Sequence, residues 1–375
     1  TIDQVLARAV DQVLPSKKGL KSLMAKKKIR LYLGIDPTAK GLHLGHTVPL
    51  RKLQQFADLG HEVILLFGTG TVLVGDPSER DTGRKLITQT EINQNIKSWK
   101  KQVAPILNFK KVKIKQNGDW LTKLKLKDII NISSNISAVQ LFKRDNFTKR
   151  LKKGDTVWYH ETLYPLLQGY DSVAMDVDLE IGGTDQTFNM LVGRELQRKM
   201  NNKEKFVMAL KMIVGTDGNT MSKTSGNCIY LTDSNINMYG KLMGVRDELL
   251  KDYYEFFTDL DLKSLDLSDP LSAKKELALA ITSQFHGDKK AKEAQEHFQT
   301  TFQKKAPEFK ETISNQLTSL ATIAQVLPSK SQAKRLIQQN AVEINGQAIT
   351  EFDHPTKTGD KIKIGKKTFV KVIWD

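Results

Sequence analysis

Between Lys28 and Gly68 the chain reads as strand, loop, helix and strand within about 40 residues. A βαβ unit of that length forces a parallel sheet with helices on its faces. The first strand, KIRLYLGI (28–35), ends at Asp36-Pro37. Gly45 to Leu59 then carries Leu50, Leu53, Phe56 and Ala57 at helical spacing, and HEVILLFG (61–68) is an apolar run suited to a strand buried on both faces. The pattern continues with a helix over Thr90–Leu107, a strand over Phe109–Lys115 and a strand over Asp178–Ile181 that enters Gly182-Gly183. A helix from about Asp185 to Lys199 and a strand over Phe206–Ile213 complete it. The predicted class is α/β.

The flanking regions differ. Residues 1–14 read as an amphipathic helix with Val5, Leu6, Ala9 and Val13 on one face. After about Leu231 the composition turns helical, and 234–315 is expected to be all helix, punctuated by Pro270 and Pro307. Beyond Pro328 come a basic helix (SKSQAKRLIQQN), then VEINGQAI and DKIKIGKKTFVKVI; Asn345-Gly346 between alternating segments is a hairpin signal. The expected domains are 1–230, 231–318 and 319–375, the last a small α+β module.

Charge narrows the partners. Lys and Arg total 58 against 42 Asp and Glu, a net of +16. Residues 100–153 alone hold 15 basic and 3 acidic residues, and the final 57 residues hold 9 and 5. Two basic regions on one chain suit an extended phosphate backbone, which points to nucleic acid. The longest mostly apolar stretch, 63–75, is 13 residues, short of the roughly 20 a membrane span needs. No secretory leader is visible, and Cys228 is the single cysteine, so a disulfide framework is excluded and the expected compartment is the reducing cytoplasm.

Two motifs carry chemistry. His43-Leu44-Gly45-His46 comes after the first strand at a helix start, where unpaired N–H groups and positive potential favour phosphate. Two imidazoles three residues apart can donate to a phosphate whose charge grows in the transition state; a metal pair or two surface histidines remain open readings. Thr220-Met221-Ser222-Lys223-Thr224, after an Asp217-Gly218-Asn219 turn, is a polar loop with one lysine that could close over a polyphosphate. Other signals fail. Gly68-Thr69-Gly70 has Leu73 where a dinucleotide motif needs glycine, and Gly70 to Gly75 leads into Asp76-Pro77 rather than the P-loop Lys and Ser/Thr. His160, His286, His297 and His354 lack zinc spacing, so no protein-held metal is expected.

HLGH and TMSKT, with YLGIDPTAKGLHLGH around the first, resemble the HIGH and KMSKS motifs of class I aminoacyl-tRNA synthetases. VGDPS (74–78), YPLLQGYD (164–171) and IGGTDQ (181–186) narrow the resemblance to the bacterial tyrosyl-tRNA synthetases, and the segment from about Leu327 resembles the S4-type RNA-binding domain. The resemblance implies a Rossmann-like catalytic domain, a helical anticodon-binding domain, a homodimer, and tRNA, L-tyrosine and ATP with Mg²⁺ as partners and substrates. It implies that Tyr32 and Asp171 flank the substrate phenol and that Asp76, Tyr164 and Gln168 hold its ammonium. Asp36 would lie near ammonium and nucleotide, and Gln186 near the reacting carboxylate. Gly34, Gly45, Gly183 and Asp185 would bind adenosine; Thr38, His43 and His46 the ATP phosphates; Lys223 the pyrophosphate. Spacing agrees in one respect: Tyr164, Gln168 and Asp171 fall at i, i+4, i+7, so one helix face can present all three.

The basic segment 100–153 would supply dimer and acceptor-end contacts, with Lys143, Arg144, Lys149, Arg150, Lys152 and Lys153 on phosphates and Lys334 and Arg335 doing the same in the S4-like domain. One departure stands out: Thr220 occupies the position where the family motif opens with lysine, and Arg80, Arg84 or Lys85 are the candidates to compensate. The competing readings are a tryptophan-specific synthetase, another HxGH nucleotidyltransferase, and a non-catalytic RNA-binding relative, which Thr220 alone favours.

Overall fold

A computed structural model describes residues 1–375 except 39, 77–87, 220, 222–225, 304–308, 314–317, 366–367 and 374–375. The chain forms two compact units, residues 1–291 and 292–375.

The first unit is built on a six-stranded sheet. In chain order its strands are β1 (Val10–Leu14), β2 (Arg30–Ile35), β3 (Glu62–Phe67), β4 (Val112–Gln116), β5 (Leu179–Gly183) and β6 (Phe206–Leu210). Their spatial order is β1-β6-β5-β2-β3-β4, all parallel except β1, which runs antiparallel to β6. The chain leaves β2 toward β3 and β4 on one side and returns to β5 on the other. The crevice at the carboxyl ends of β2 and β5 is therefore the topological switch point, where open α/β sheets bind ligands. The central strands are buried on both faces, as their unbroken apolar runs demand: Leu31, Tyr32, Leu33 and Val63 through Phe67 are all at most 3% exposed.

Four helices carry side chains to this crevice or support it. Thr47–Asp58 leaves the first motif, Gln89–Val103 precedes β4, Leu163–Met175 precedes β5, and Thr187–Asn201 connects β5 to β6. The helices Asn235–Met243, Leu250–Phe257 and Pro270–His286 complete the unit around buried Tyr239, Tyr253, Tyr254 and Phe257.

The second unit packs helices Ser319–Ala324 and Lys330–Gln338 on a sheet of β7 (Lys310–Ile313), β8 (Val342–Ile344), β9 (Gln347–Ala348), β10 (Lys361–Ile364) and β11 (Thr368–Ile373) in the order β7-β11-β10-β8-β9. Ile323, Ile337, Val342, Ile362 and Val372, all fully buried, form its core. Asn345 and Gly346 both take positive φ (51° and 85°), the two-residue hairpin turn that right-handed strand twist favours.

Two expectations fail. Residues 1–14 are not one helix: Ile2–Val5 is a single turn, Ala9 has φ 57°, and Val10–Leu14 is strand. Val5, Leu6, Ala9 and Val13 are all buried, as their spacing implies. But the open edge of β6 offers a ladder of N–H and C=O groups, and pairing with it outweighs the helical pattern. Likewise 310–313 is not helical, because β7 pairs in parallel with β11.

The N-terminal segment is also tied down by charge. Lys52, on the helix Thr47–Asp58 and 2% exposed, donates to the carbonyls of Val5 (2.6 Å) and Arg8 (2.7 Å). Arg8 in turn donates to the carbonyls of Tyr254, Glu255 and Leu260 at the end of the helix Leu250–Phe257. Burial, aided by Arg8, lowers the Lys52 ammonium from 10.5 to about 7. The folded state thus holds this proton less tightly than the unfolded chain, which binds more protons across that window, so stability climbs as pH rises from about 7 toward 10.5. Urea denaturation is expected to show a Lys52-dependent gain on the order of 2–3 kcal/mol between about pH 7 and pH 9.5, absent in Lys52→Met. A variant with the same pH slope as the parent would remove Lys52 as its cause.

Candidate active site

Strand alternation sends Tyr32, Gly34 and Asp36 to one side of β2 and its end. Tyr32 lies directly beside Glu180 of β5 in the parallel register, so both side chains enter the switch-point crevice. The helix Leu163–Met175 brings Tyr164, Gln168 and Asp171 over it. These residues join Thr38, His46, Gly68, Thr71, Asp76, Trp99, Asn117 and Gln186 around a cleft of about 190 Å³.

The floor is dry. Asp171, 2% exposed, accepts from Asn117 Nδ2 (3.0 Å) and from Trp120 Nε1 (2.9 Å), one donor to each oxygen. Burial pushes this carboxyl up against the pull of those two donors. Tyr32 is fully buried, its hydroxyl 3.1 Å from Ser172 Oγ; burial, then the charges of Glu180 and Asp171, push the phenol up as well. Glu180 forms an ion pair with fully buried Lys205 and accepts from Gln168 Nε2 at 3.0 Å.

The walls carry two more carboxylates. Asp36 accepts from Thr71 Oγ1 (2.8 Å) and the Tyr164 hydroxyl (3.0 Å). A Cβ at Gly68 would fall on Asp36 Oδ1, so that position must lack a side chain. Asp76 accepts from Arg144 Nη2 (3.2 Å) and Gln186 Nε2 (2.8 Å). Gln168 Oε1 is a buried acceptor without a partner among the described residues. Asp36, Asp76, Asp171 and Glu180 all line the cleft, whereas Lys205 and Arg144 sit behind it. The opening is therefore suited to a ligand that brings a cation and hydrogen-bond donors.

At the rim, Leu44–His46 is one 3₁₀ turn leading into the helix Thr47–Asp58. The His43 and His46 rings lie 3.9 Å apart between centroids, tilted by 55°, and the His46 ring lies 6.4 Å from that of Trp99. The backbone pairs with the segment after the second motif: Leu44 N donates to Ile229 O (2.9 Å) and Leu231 N to Leu42 O (2.8 Å). A Cβ at Gly45 would lie 3.0 Å from the His43 ring and 3.2 Å from Met221 Sδ, so the two motifs meet at that glycine. Gly183 and Asp185 lie at the opposite rim, at the end of β5 and in the turn Thr184–Gln186. Lys223 and Thr220, with Arg80, Arg84 and Lys85, lie outside the described residues.

Ten of the expected residues line one cleft: Tyr32, Gly34, Asp36, Thr38, His46, Asp76, Tyr164, Gln168, Asp171 and Gln186. The basic segment is more divided. Lys143, Lys149, Lys152 and Lys153 are exposed, as are Lys334 and Arg335 in the second unit. Arg144 corrects the expectation: it is 4% exposed and paired with Asp76, because a buried carboxylate needs a donor, so it faces the cleft wall rather than a phosphate. Arg150 is engaged by Glu161 and the Thr156 carbonyl. Sequence reasoning missed Asn117, Trp120, Ser172, Glu180 and Lys205. One signal was available: Glu180 places a charge inside the apolar strand LEIGG, and a charge at a buried strand position implies a buried partner.

The comparisons agree with this geometry. Residues 24–303 match the family described as tRNA synthetases class I (W and Y), and residues 297–371 the tyrosine–tRNA ligase SYY-like C-terminal domain. The tyrosine–tRNA ligase of Thermotoga maritima is 38% identical over 386 residues, covering 98% of this chain and 96% of the relative; that of Haemophilus influenzae is 38% identical, covering 99% and 96%. A tyrosyl-tRNA synthetase from Archaeoglobus fulgidus complexed with L-tyrosine shares the fold with a TM-score of 0.62 at 21% identity, over 79% of this chain and 99% of that one. A C-terminally truncated mitochondrial tyrosyl-tRNA synthetase from Aspergillus nidulans does so with a TM-score of 0.67 at 21% identity, over 80% and 94%. With its switch-point cleft, its paired motifs and near full-length identity to these ligases, the chain belongs to the tyrosine–tRNA ligases of the class I tRNA synthetases.

Proposed function

We propose that this protein is a tyrosine–tRNA ligase that activates L-tyrosine with ATP and transfers it to the 3′ end of its tRNA. The observation that carries the reading is the meeting of Tyr32 and Asp171 at the floor of a carboxylate-lined cleft whose rim is HLGH. A phenol at that floor donates to Asp171 and accepts from Tyr32. Phenylalanine leaves both unpaired in a dry site, a loss that can reach about 10⁴–10⁵ in kcat/KM. The amino-acid ammonium satisfies the orphaned Gln168 Oε1 and meets Asp36, Asp76 and Tyr164 above it.

In the first step the tyrosine carboxylate attacks the α-phosphorus of ATP; the bond to the bridging oxygen breaks and pyrophosphate leaves with that electron pair. In the second, a ribose hydroxyl of tRNA attacks the activated carbonyl, loses its proton and releases AMP. No covalent bond to the protein forms, so its work is positioning and electrostatics. His43 and His46 donate to phosphate oxygens as charge builds; Thr38, Gly34, Gly45, Gly183 and Asp185 frame the nucleotide; Gln186 orients the carboxylate; Lys223 receives pyrophosphate. Mg²⁺ would come with ATP, held by phosphate oxygens and water.

The division into 1–230, 231–318 and 319–375 is proposed as catalytic, anticodon-binding and S4-like. Lys143, Lys149, Lys152, Lys153, Lys334 and Arg335 are the proposed tRNA phosphate contacts. A homodimer is supported by the exposed Leu126 (75%), Trp158 (61%) and Tyr159 (81%) in and beside the basic segment. A cytoplasmic location fits the single reduced cysteine; among the described residues no helix is long and apolar enough to cross a membrane.

ATP–pyrophosphate exchange with tyrosine, phenylalanine and tryptophan tests the reading: exchange should depend on tyrosine. Exchange driven by tryptophan, or by none of the three, would overturn it. Two variants refine it. Asp171→Ala should lower the tyrosine-to-phenylalanine ratio of kcat/KM by about 100-fold or more, and an intact ratio would exclude the phenol contact. His46→Ala should lower kcat by about 10²-fold or more while the tyrosine KM stays within roughly threefold, the mark of a contact made in the transition state; a matching rise in KM would assign His46 to ground-state binding.

A further inference from the structure

Behind the phenol site lies a buried polar chain that the two-step reaction does not use. Lys205, fully buried at the start of β6, donates to Ser172 Oγ at 2.8 Å and pairs with Glu180 Oε2. Ser172, also fully buried, sits 3.1 Å from the Tyr32 hydroxyl. Room for the ammonium comes from Gly193 on the neighbouring helix Thr187–Asn201, where a Cβ would lie 2.6 Å from Lys205 Nζ and 2.9 Å from Ser172 Oγ.

Donor and acceptor counting gives this chain a direction. An ammonium has donors only; a hydroxyl has one proton and two lone pairs. Ser172 Oγ accepts from Lys205, and its own proton has two possible acceptors. Glu180 Oε2 is 3.4 Å away and also receives Lys205; Tyr32 is closer, at 3.1 Å. Given to the nearer acceptor, the serine proton goes to Tyr32, which leaves the Tyr32 proton to turn away from Ser172, into the cleft. At the far side Asp171 is an acceptor, with each oxygen already receiving one N–H.

We propose that Lys205 and Ser172 are positioning residues for tyrosine specificity, fixing a one-way hydrogen-bond relay from the Lys205 ammonium through Ser172 and Tyr32 to the substrate phenol and on to Asp171. The inference rests on the tyrosine reading above and deepens it. Without the relay, Tyr32 can turn its proton to the Glu180 carboxylate, its neighbour across the strand pair. It then faces the phenol with lone pairs just as the phenol gives its single proton to Asp171, and two acceptors confront each other in a dry site. Burial pulls the Lys205 ammonium toward its neutral form and the Glu180 charge opposes that, which explains an ion pair at this depth.

Ser172→Ala is the discriminating variant, because it breaks the relay and leaves the Lys205–Glu180 pair whole. In the full chain, ATP–pyrophosphate exchange is expected to show the tyrosine-to-phenylalanine ratio of kcat/KM falling by about tenfold or more, with the loss on tyrosine. Lys205→Met should lower the ratio at least as far and also destabilise the fold by stranding Glu180. Lys205→Gln combined with Glu180→Gln, which removes both charges and keeps an amide donor for Ser172, should recover both the fold and most of the ratio. An unchanged ratio in Ser172→Ala, or equal losses on tyrosine and phenylalanine, would overturn the relay while leaving tyrosine activation intact. A parent protein that does not prefer tyrosine overturns the functional reading and the relay together.

Discussion

Four carboxylates at the carboxyl end of a parallel sheet cannot lose their water unless other parts of the chain supply donors, and that demand organises the first unit. Asp36 is held by Thr71 and Tyr164, Asp76 by Arg144 and Gln186, Asp171 by Asn117 and Trp120, and Glu180 by Lys205 and Gln168. Each carboxylate draws at least one donor from an element far away in sequence. The loop after β4, the helix Leu163–Met175 and the start of β6 are thereby fixed around one crevice. Removing a single donor leaves a buried charge uncompensated, which costs far more than the contact itself contributes. The cleft that results is negative and dry, the right environment for an ammonium and a phenol.

The HLGH rim obeys a different rule. HLGH and the segment after TMSKT are joined by backbone hydrogen bonds rather than buried charges, through Leu44 with Ile229 and Leu42 with Leu231. The first motif and the segment that follows the second thus share one strand-like seam, at His43 and Tyr230. At Gly45 a side chain would crowd both the His43 ring and Met221. The cleft carboxylates are held by side-chain donors, while HLGH is hung on a backbone seam between loops.

The strands of the parallel sheet are legible in the sequence because burial on both faces leaves continuous apolar runs, and the Asn345-Gly346 hairpin because two positive φ angles select those residues. The segment 1–14 defeats a linear reading for a physical reason: its buried positions fit a helix and also fit one turn leading into an edge strand, and the unpaired edge of β6 decides between them. Residues 310–313 mislead in the same way, through a partner strand almost 60 residues later. Arg144 looks like one more cation in a basic run, until the fold sets it against Asp76.

By itself the sequence determined the α/β class, the order of most elements, the two phosphate-side motifs and most residues of the cleft, because periodicity and short motifs are local properties of a chain. It could not determine which buried polar groups pair with one another. Lys205 with Glu180, Arg144 with Asp76 and Asn117 with Asp171 are separated by 25, 68 and 54 residues, and no local pattern joins them. Only the packed structure brings them within hydrogen-bond reach. It thereby sets which donors and acceptors face one another at the floor of the site.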